Sequence, residues 1–331
     1  MKNEFLKEAA KKVLSPKQYY SLRARLIFNL HSPFPIDVLQ EFDPKWNEYL
    51  RMNRKTRMAY IVSPAQRSGT NFIHHMMSLH PKLVTPDFGD YPNEHCLYSY
   101  SDEIKKYAYQ TVLAWSKWTK EGKYSVDEQT KKLTATIGDG IINYFTDELN
   151  ADELLLFKTP DSGNIQDFFH LFPSEKVILL IRDGRDTVES FLKSWGGTAL
   201  FKKMTIRWKN RMNQIERFME QSKQSGFMDQ LLLVNYEDLN ATPEKELTKI
   251  FDFIDLDKKL YPWDDLEKIP ILGSSTYRGD EAKVNWKPVE KKSDFNPSKK
   301  WENWSARKKR TFKKIAGDEL INFGFAKDQR W

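Results

Sequence analysis

The stretch Tyr60 to Met77, YIVSPAQRSGTNFIHHMM, constrains the fold more than any other part of the chain. Ala59, Tyr60, Ile61 and Val62 form an apolar run that reads as a buried strand, which Ser63-Pro64-Ala65 ends. Gln66 to Thr70 makes a tight polar turn around one glycine. From Asn71 the apolar spacing changes to Phe72, Ile73, Met76, Met77 and Leu79, which is the period of a helix. A strand, a short glycine-bearing loop and a helix start make an anion site. Loop N–H groups and the helix N-terminus converge there with fractional positive charge. Arg67 adds a guanidinium fork, and Ser68, Thr70 and Asn71 add small polar donors. The expected guest is a phosphate. The nucleoside-triphosphate loop needs G-x-x-x-x-G-K-[ST], whereas this loop has one glycine and no Gly-Lys pair.

Three further apolar runs predict strands: Glu153–Phe157, Lys176–Ile181 and Gln230–Val234. Helical patterning separates them, at about 102–120, 126–149, 166–171, 186–193 and 201–224, and a last helix is expected over 305–323. Strands that are apolar throughout and alternate with helices imply an α/β fold, a P-loop-like central parallel sheet with helices on both faces. Residues 1–55 read as an N-terminal helical extension and 56–331 as the main domain. Segments 87–150 and 261–303 fit lid or binding excursions, the latter being polar, proline-bearing and weakly periodic. Within the extension, Lys17–Leu30 is basic and aromatic. It reads either as a weak membrane-surface contact or as a helix packed on the core with a solvated basic rim.

A second informative stretch is Ile181-Arg182-Asp183-Gly184-Arg185-Asp186-Thr187-Val188-Glu189-Ser190. Arg182 falls at the carboxyl end of a buried strand, where open α/β sheets place their ligands. Asp186 is expected to cap the following helix, with Ser190 one turn on.

Together the two stretches carry a resemblance. Arg67-Ser68-Gly69-Thr70-Asn71 is similar to the 5′-phosphosulfate loop, [K/R]-S-G-T-[T/N], of sulfotransferases that use 3′-phosphoadenosine 5′-phosphosulfate (PAPS). Arg182 with Ser190 resembles that family's 3′-phosphate motif, R-D-x-x-D-x-x-x-S, in the form with Gly184 that belongs to the tyrosylprotein and carbohydrate branch. Matches to the tyrosylprotein enzymes continue at Leu79-His80-Pro81, Lys158-x-Pro160, Trp208 with Asn210, and Tyr236-Glu237-x-Leu239. Ser275-Thr276, Lys287-Pro288-Val289 and Ser298-Lys299-Lys300-Trp301 complete the set. The similarity spans about Tyr60 to Phe325 in scattered blocks, and the first 55 residues fall outside it.

The resemblance implies a sulfotransferase fold and sulfuryl transfer from PAPS, as co-substrate and without a metal, to an acceptor hydroxyl. In-line transfer of this kind rests on positioning and electrostatics. Arg67, Ser68, Gly69, Thr70, Asn71 and Phe72 would hold the 5′-phosphosulfate, and Arg182 and Ser190 the 3′-phosphate. Tyr236 would line the adenine pocket, and Ser275 and Lys300 would close over the donor. Arg67 and Lys158 would face the leaving phosphate and the sulfuryl oxygens. The tyrosylprotein branch uses a glutamate as general base in the loop after the first helix, which points to Glu94; His95 and Asp90 compete with it. A sugar, a phenol, a lipid headgroup and a tyrosine all stand as acceptors. Two other readings are a P-loop nucleotide-dependent kinase, against which the missing Gly-Lys pair argues, and a non-catalytic relative that binds PAPS or its product.

Charge and cysteine usage bound the rest. With 53 basic and 46 acidic residues the net charge is +7, which suits anionic ligands. The chain shows no nucleic-acid motif, so no nucleic-acid partner is expected. Cys96 stands alone, so no internal disulfide is expected. No His/Cys/Asp spacing suggests a metal site. Residues 1–14 carry too many charges for a signal peptide or a spanning helix, and the sequence reads as soluble and cytoplasmic.

Overall fold

A computed structural model describes residues 56–86, 94–116, 125–146, 149–270 and 297–331. The expected extension over 1–55, Asp90, Ser275, the Lys287-Pro288-Val289 match and most of the 261–303 segment lie outside these residues. The chain divides into two compact units. Among the described residues, one lies within Glu41–Ile181 and Arg211–Leu266, and the other within Arg182–Asn210 and Glu267–Trp331.

The first unit holds a five-stranded sheet, parallel throughout, in the order β2-β3-β1-β4-β5. Its strands are β1 (Met58–Val62), β2 (Leu83–Val84), β3 (Leu154–Thr159), β4 (Lys176–Ile181) and β5 (Leu231–Asn235). The helices in chain order are α1 (Thr70–Met77), α2 (Ser101–Ser116), α3 (Val126–Thr146), α4 (Phe168–Leu171), α5 (Gly184–Phe191), α6 (Phe201–Gln224), α7 (Tyr236–Ala241), α8 (Pro243–Phe253) and α9 (Ala306–Asn322). The fold is the expected α/β one, a central parallel sheet flanked by helices. Among the described residues no helix is long and apolar enough to cross a membrane.

Every residue of β1 and β3 is buried, as fits strands covered on both faces. Below β3 the core is aromatic. The Tyr60 ring centroid lies 5.6 Å from those of both Tyr98 and Phe168, and Phe169 stacks on Phe227 at 4.4 Å. The buried carboxylate of Glu175 accepts the N–H groups of Arg57 and Met58 at 2.8 and 2.7 Å, which anchors the start of β1. Val62 pairs in register with Thr159 on one side and with Leu179 on the other, so the neighbouring strand ends lie nearly level. From β1 the chain leaves towards β2 and β3, and from β4 towards β5. The carboxyl ends of β1 and β4 are therefore the switch point at which open sheets receive ligands.

Four expectations need correction. The sheet has a fifth strand, β2, inside a stretch that reads as loop; two residues paired to Leu154 and Leu155 are too few to leave a periodic signal. The last strand is apolar over Leu231–Val234 but is an edge strand and only partly buried, Leu231 and Val234 inward and Leu233 exposed, because it pairs with β4 alone. Tyr236, which reads from the sequence as the end of the apolar run that begins at Gln230, instead opens α7, whose cap is the Asn235 side chain accepting from the Glu237 N–H at 2.9 Å. In the second unit Asp183, not Asp186, caps α5, because the helix begins two residues earlier than its apolar pattern.

Gly138 of α3 packs on the chain at Leu171, where a Cβ would lie 2.0 Å from the Leu171 carbonyl oxygen. Backbone cannot yield as a side chain does. Gly138→Ala is expected to lower stability by about 2–4 kcal/mol, read as a fall in the urea midpoint. A wild-type midpoint would show that the two segments separate at little cost.

Candidate active site

The loop after β1 is held from the first residue. Ser63 donates its N–H to the Thr159 carbonyl at 3.2 Å and its hydroxyl to the Ala65 carbonyl at 3.1 Å. The backbone then curls through Arg67 at φ 76° and Gly69 at φ 98°. Gly69 is required twice over, by that φ and by space, since a Cβ would lie 2.3 Å from the Tyr236 ring. Tyr236 is buried, and its ring also meets Phe72 edge-on at 5.9 Å. The observed neighbours of Tyr236 are thus the glycine and the first helical turn of the loop.

Helix α1 starts at Thr70 with no side-chain cap, and the N–H groups of Phe72 and Ile73 return to the Gly69 carbonyl at 3.0 and 3.2 Å. Ser68 is fully buried, and its Oγ has no hydrogen-bond partner among the described residues. Leaving such a hydroxyl unpaired costs about 1–3 kcal/mol. An orphan hydroxyl beside an uncapped helix N-terminus fits an anionic guest.

Lys158, next to last in β3, is 1% exposed and donates from Nζ to Asn71 Oδ1 at 2.5 Å. Burial pulls its amine down to about 8, against the opposing pull of the Glu94 carboxylate. Glu94 is pushed the other way. Its side chain is exposed, yet crowding by protein raises its pKa; the Lys158 charge opposes this and Asp161 adds to it. Asp161 itself pairs with Arg211 at 2.9 Å.

His95 is tied down at both ends of its residue. Its N–H donates to the Lys158 carbonyl, and its Nδ1 accepts the Lys158 N–H, each at 3.1 Å. With Nδ1 accepting, the ring proton sits on Nε2. Burial brings the imidazole down to about 4, a backbone hydrogen bond with Pro86 and the nearby Lys158 charge being the next influences. His74, in α1, bonds Thr85 Oγ1 at 3.2 Å and is lowered to about 3, mainly by burial. Cys96 is half-buried, and burial raises its thiol.

Arg182, Ser190 and Lys300 belong to the second unit. Arg182 is buried and donates to the Pro297 carbonyl at 2.7 Å; Ser190 is buried in α5. Asp186 accepts the N–H groups of Lys299 and Lys300 at 2.7 Å each, so Lys300 contributes its backbone as well as its charge. Arg185 forks onto Asp183 and lies flat on Trp301, 3.7 Å from its ring centroid.

The first unit thus brings together Ser68, Gly69, Thr70, Asn71, Phe72, Lys158, Glu94, His95 and Tyr236. The alternation of residue types does not single out the Asn71–Lys158 bond or the hydroxyls of Tyr60 and Thr159. Lys158 and Thr159 alone carry a local signal, as polar residues at the end of an apolar strand.

Residues 61–260 match the family model described as "Sulfotransferase family". The chain belongs to this family. It is 25% identical over 224 residues to a protein-tyrosine sulfotransferase of Drosophila melanogaster, covering 64% of this chain and 40% of the relative. It is also 25% identical over 222 residues to protein-tyrosine sulfotransferase A of Caenorhabditis elegans, covering 64% and 52%. The chain therefore spans about half the length of these relatives, or less. Among solved structures it is similar to the sulfotransferase domain from the curacin biosynthetic pathway (17% identity, TM-score 0.48, 80% of this chain and 98% of that one). It is also similar to that of the Synechococcus PCC 7002 olefin synthase (21%, TM-score 0.47, 86% and 98%).

The Gly69–Tyr236 contact predicts a coupled pair. Gly69→Ala is expected to cost about 2–4 kcal/mol, from the clash and from a φ that L-residues avoid. Gly69→Ala with Tyr236→Ala should lose clearly less than the two single changes summed. Strict additivity in thermal unfolding would mean that the ring does not rest on the glycine.

Proposed function

We propose that the protein moves the sulfuryl group of PAPS to an acceptor hydroxyl by in-line transfer, with Glu94 as general base. The observation that carries this reading is the buried Lys158 amine. It is bonded to Asn71 of the anion loop and electrostatically coupled to Glu94.

Each side chain then has a task. The Ser68 hydroxyl, the loop N–H groups and the start of α1 receive the 5′-phosphate, with Arg67 as a second cation. The Lys158 ammonium stabilises the negative charge that grows on the leaving phosphate oxygen. Glu94 takes the acceptor proton as the acceptor oxygen bonds to sulfur and the bond between sulfur and the bridging phosphate oxygen breaks. His95, with Nδ1 engaged and its imidazole near 4, is a holding residue and not the base. Arg182 and Ser190 are assigned the 3′-phosphate, Tyr236 a place by the adenine, and Lys300 closure over the donor. The printed names of the relatives favour a tyrosyl hydroxyl among the possible acceptors. The kinase reading has no Gly-Lys pair to rest on.

Calorimetry should find micromolar binding of 3′-phosphoadenosine 5′-phosphate with chelator present. Arg182→Ala should weaken that binding by about 2–4 kcal/mol, through loss of a charge-assisted fork. Adenosine 5′-phosphosulfate, which lacks the 3′-phosphate, should bind variant and wild type alike. An equal loss for both ligands would remove Arg182 from this role.

Glu94→Gln should leave donor-product binding nearly unchanged and lower kcat by about 10²–10⁴. The wild-type rate should rise with pH as Glu94 ionises, at a pH above the ordinary carboxylate range because its pKa is raised. It should fall again as pH passes about 8, where Lys158 loses its proton. The Gln variant should lack the acid limb. An acid limb that persists in Glu94→Gln and vanishes in His95→Asn would make the histidine the base.

A further inference from the structure

We propose that the hydroxyls of Tyr60 and Thr159, together with the ring of His95, form a positioning clamp that holds the Glu94 carboxyl beside the Lys158 amine. The inference rests on the assignment of Glu94 as base, and deepens it.

Three consecutive N–H groups after Glu94 are engaged by two strands, the first two by the end of β3 and the third by the middle of β1. His95 donates to the Lys158 carbonyl at 3.1 Å, Cys96 to Thr159 Oγ1 at 3.0 Å, and Leu97 to the Tyr60 hydroxyl at 3.1 Å. The two hydroxyls bond each other at 2.6 Å, which joins β1 to β3 through side chains as well as backbone. The Lys158 N–H closes the arrangement onto His95 Nδ1. One segment is thus pinned at successive residues to the part of β3 that presents the lysine.

Two features point to placement and not to packing. Tyr60 sits among Tyr98, Phe157 and Phe168, where a phenylalanine would satisfy the core, so its hydroxyl is accounted for only by its two polar partners. Burial pushes the phenol far above its ordinary range, so it remains a neutral donor throughout the working pH. Secondly, Cys96 holds φ 48°, a conformation that L-residues with a side chain rarely adopt. Such a residue persists where its surroundings over-determine it, and here the Thr159 hydroxyl does so. Without the clamp, rotation at Cys96 would swing Glu94 relative to Lys158.

Among the described residues, Lys158 is felt by Glu94, His95 and His74; Glu94 feels Lys158 and Asp161, and its charge is felt by the Cys96 thiol. Displacing the Glu94 carboxylate removes an influence that holds the Lys158 amine up, so the titration of Lys158 reports where Glu94 lies.

The experiment compares Tyr60→Phe, Thr159→Val and the double variant with Glu94→Gln, with Thr159→Ser as the conservative control. The Lys158 amine is titrated by NMR in each folded protein. Glu94→Gln should shift its midpoint below the wild-type value of about 8, the clamp variants should shift it in the same direction, and Thr159→Ser should restore it. Turnover in the clamp variants should fall on the order of 10–100-fold through kcat, with donor-product affinity within about twofold of wild type. A structural role alone would lower the melting temperature and leave the Lys158 midpoint in place. A midpoint that moves in Glu94→Gln but not in the double variant overturns the clamp, as does an unchanged kcat. A wild type that binds the donor product yet sulfates no hydroxyl acceptor overturns the assigned reaction instead, and the Lys158 titration still decides the clamp.

Discussion

A lysine ammonium buried at the end of a hydrophobic strand is the interaction on which the rest of this structure depends. Charge in such a place is costly unless partners surround it. Lys158 is 1% exposed; burial lowers its amine to about 8, the Glu94 charge opposes that fall, and its Nζ donates to Asn71 Oδ1. Those two residues come from different parts of the chain, the start of α1 and the segment that returns along β3. The sheet order brings them to one edge, since β3 pairs with β1 and α1 follows β1 directly. The loop after β1, the segment that begins at Glu94 and the end of β3 are therefore one electrostatic unit, not three motifs that happen to be near.

How much of this was legible in the amino-acid order follows from the range of each interaction. β1, β3, β4 and α6 are long and strongly patterned, and the structure has them where the pattern does, with α6 running over the expected Phe201–Gln224. The glycine loop was legible because φ 98° and a ring 2.3 Å from the missing Cβ leave no other residue possible. What the pattern could not carry is pairing between distant residues. Nothing local says that His95 Nδ1 accepts the Lys158 N–H. The cap of α5 was misplaced for a related reason. Asp183 and Asp186 are both good caps by type, and only the start of the helix at Gly184 decides between them. Asp186 then serves two N–H groups 113 and 114 positions away, a use invisible from its neighbours.

The second unit answers a different puzzle, the basic first turns of the last helix. Arg307, Lys308, Lys309 and Arg310 place positive charge at the positive end of the α9 dipole, which is unfavourable by itself. Lys308 is compensated, since it bonds Glu189 at 2.6 Å and lies 4.4 Å from the Trp304 ring centroid. Lys309 faces Trp301 at 5.5 Å, and Lys313 faces Trp331 at 4.9 Å. Both tryptophans also flank Arg185, which is locked on Asp183 and on the Phe325 carbonyl. The aromatic–cation layer thus ties the Arg182–Ser190 stretch to the C-terminal helix and fixes the backbone from which Arg182 projects. Its contribution to the motif is rigidity, not a charge offered to a ligand.

Coupling between Glu94 and Lys158 has one more physical consequence under the assigned reaction. In the free protein each group supports the charge of the other, while burial works against both. An anion brought to the loop raises the proton affinity of each by simple Coulomb repulsion and attraction. Lys158 then keeps its proton more firmly, which suits a group that stabilises a leaving oxygen. Glu94 becomes a stronger base through the same field, which suits a group that must take a proton from a hydroxyl. The residual cost is a smaller ionised fraction of Glu94, and the Lys158 ammonium limits that cost as long as the two stay close. Proximity of the pair therefore governs both halves of the transfer. That is why the hydrogen bonds that hold residues 95–97 against β3 and β1 matter as much as the charges themselves.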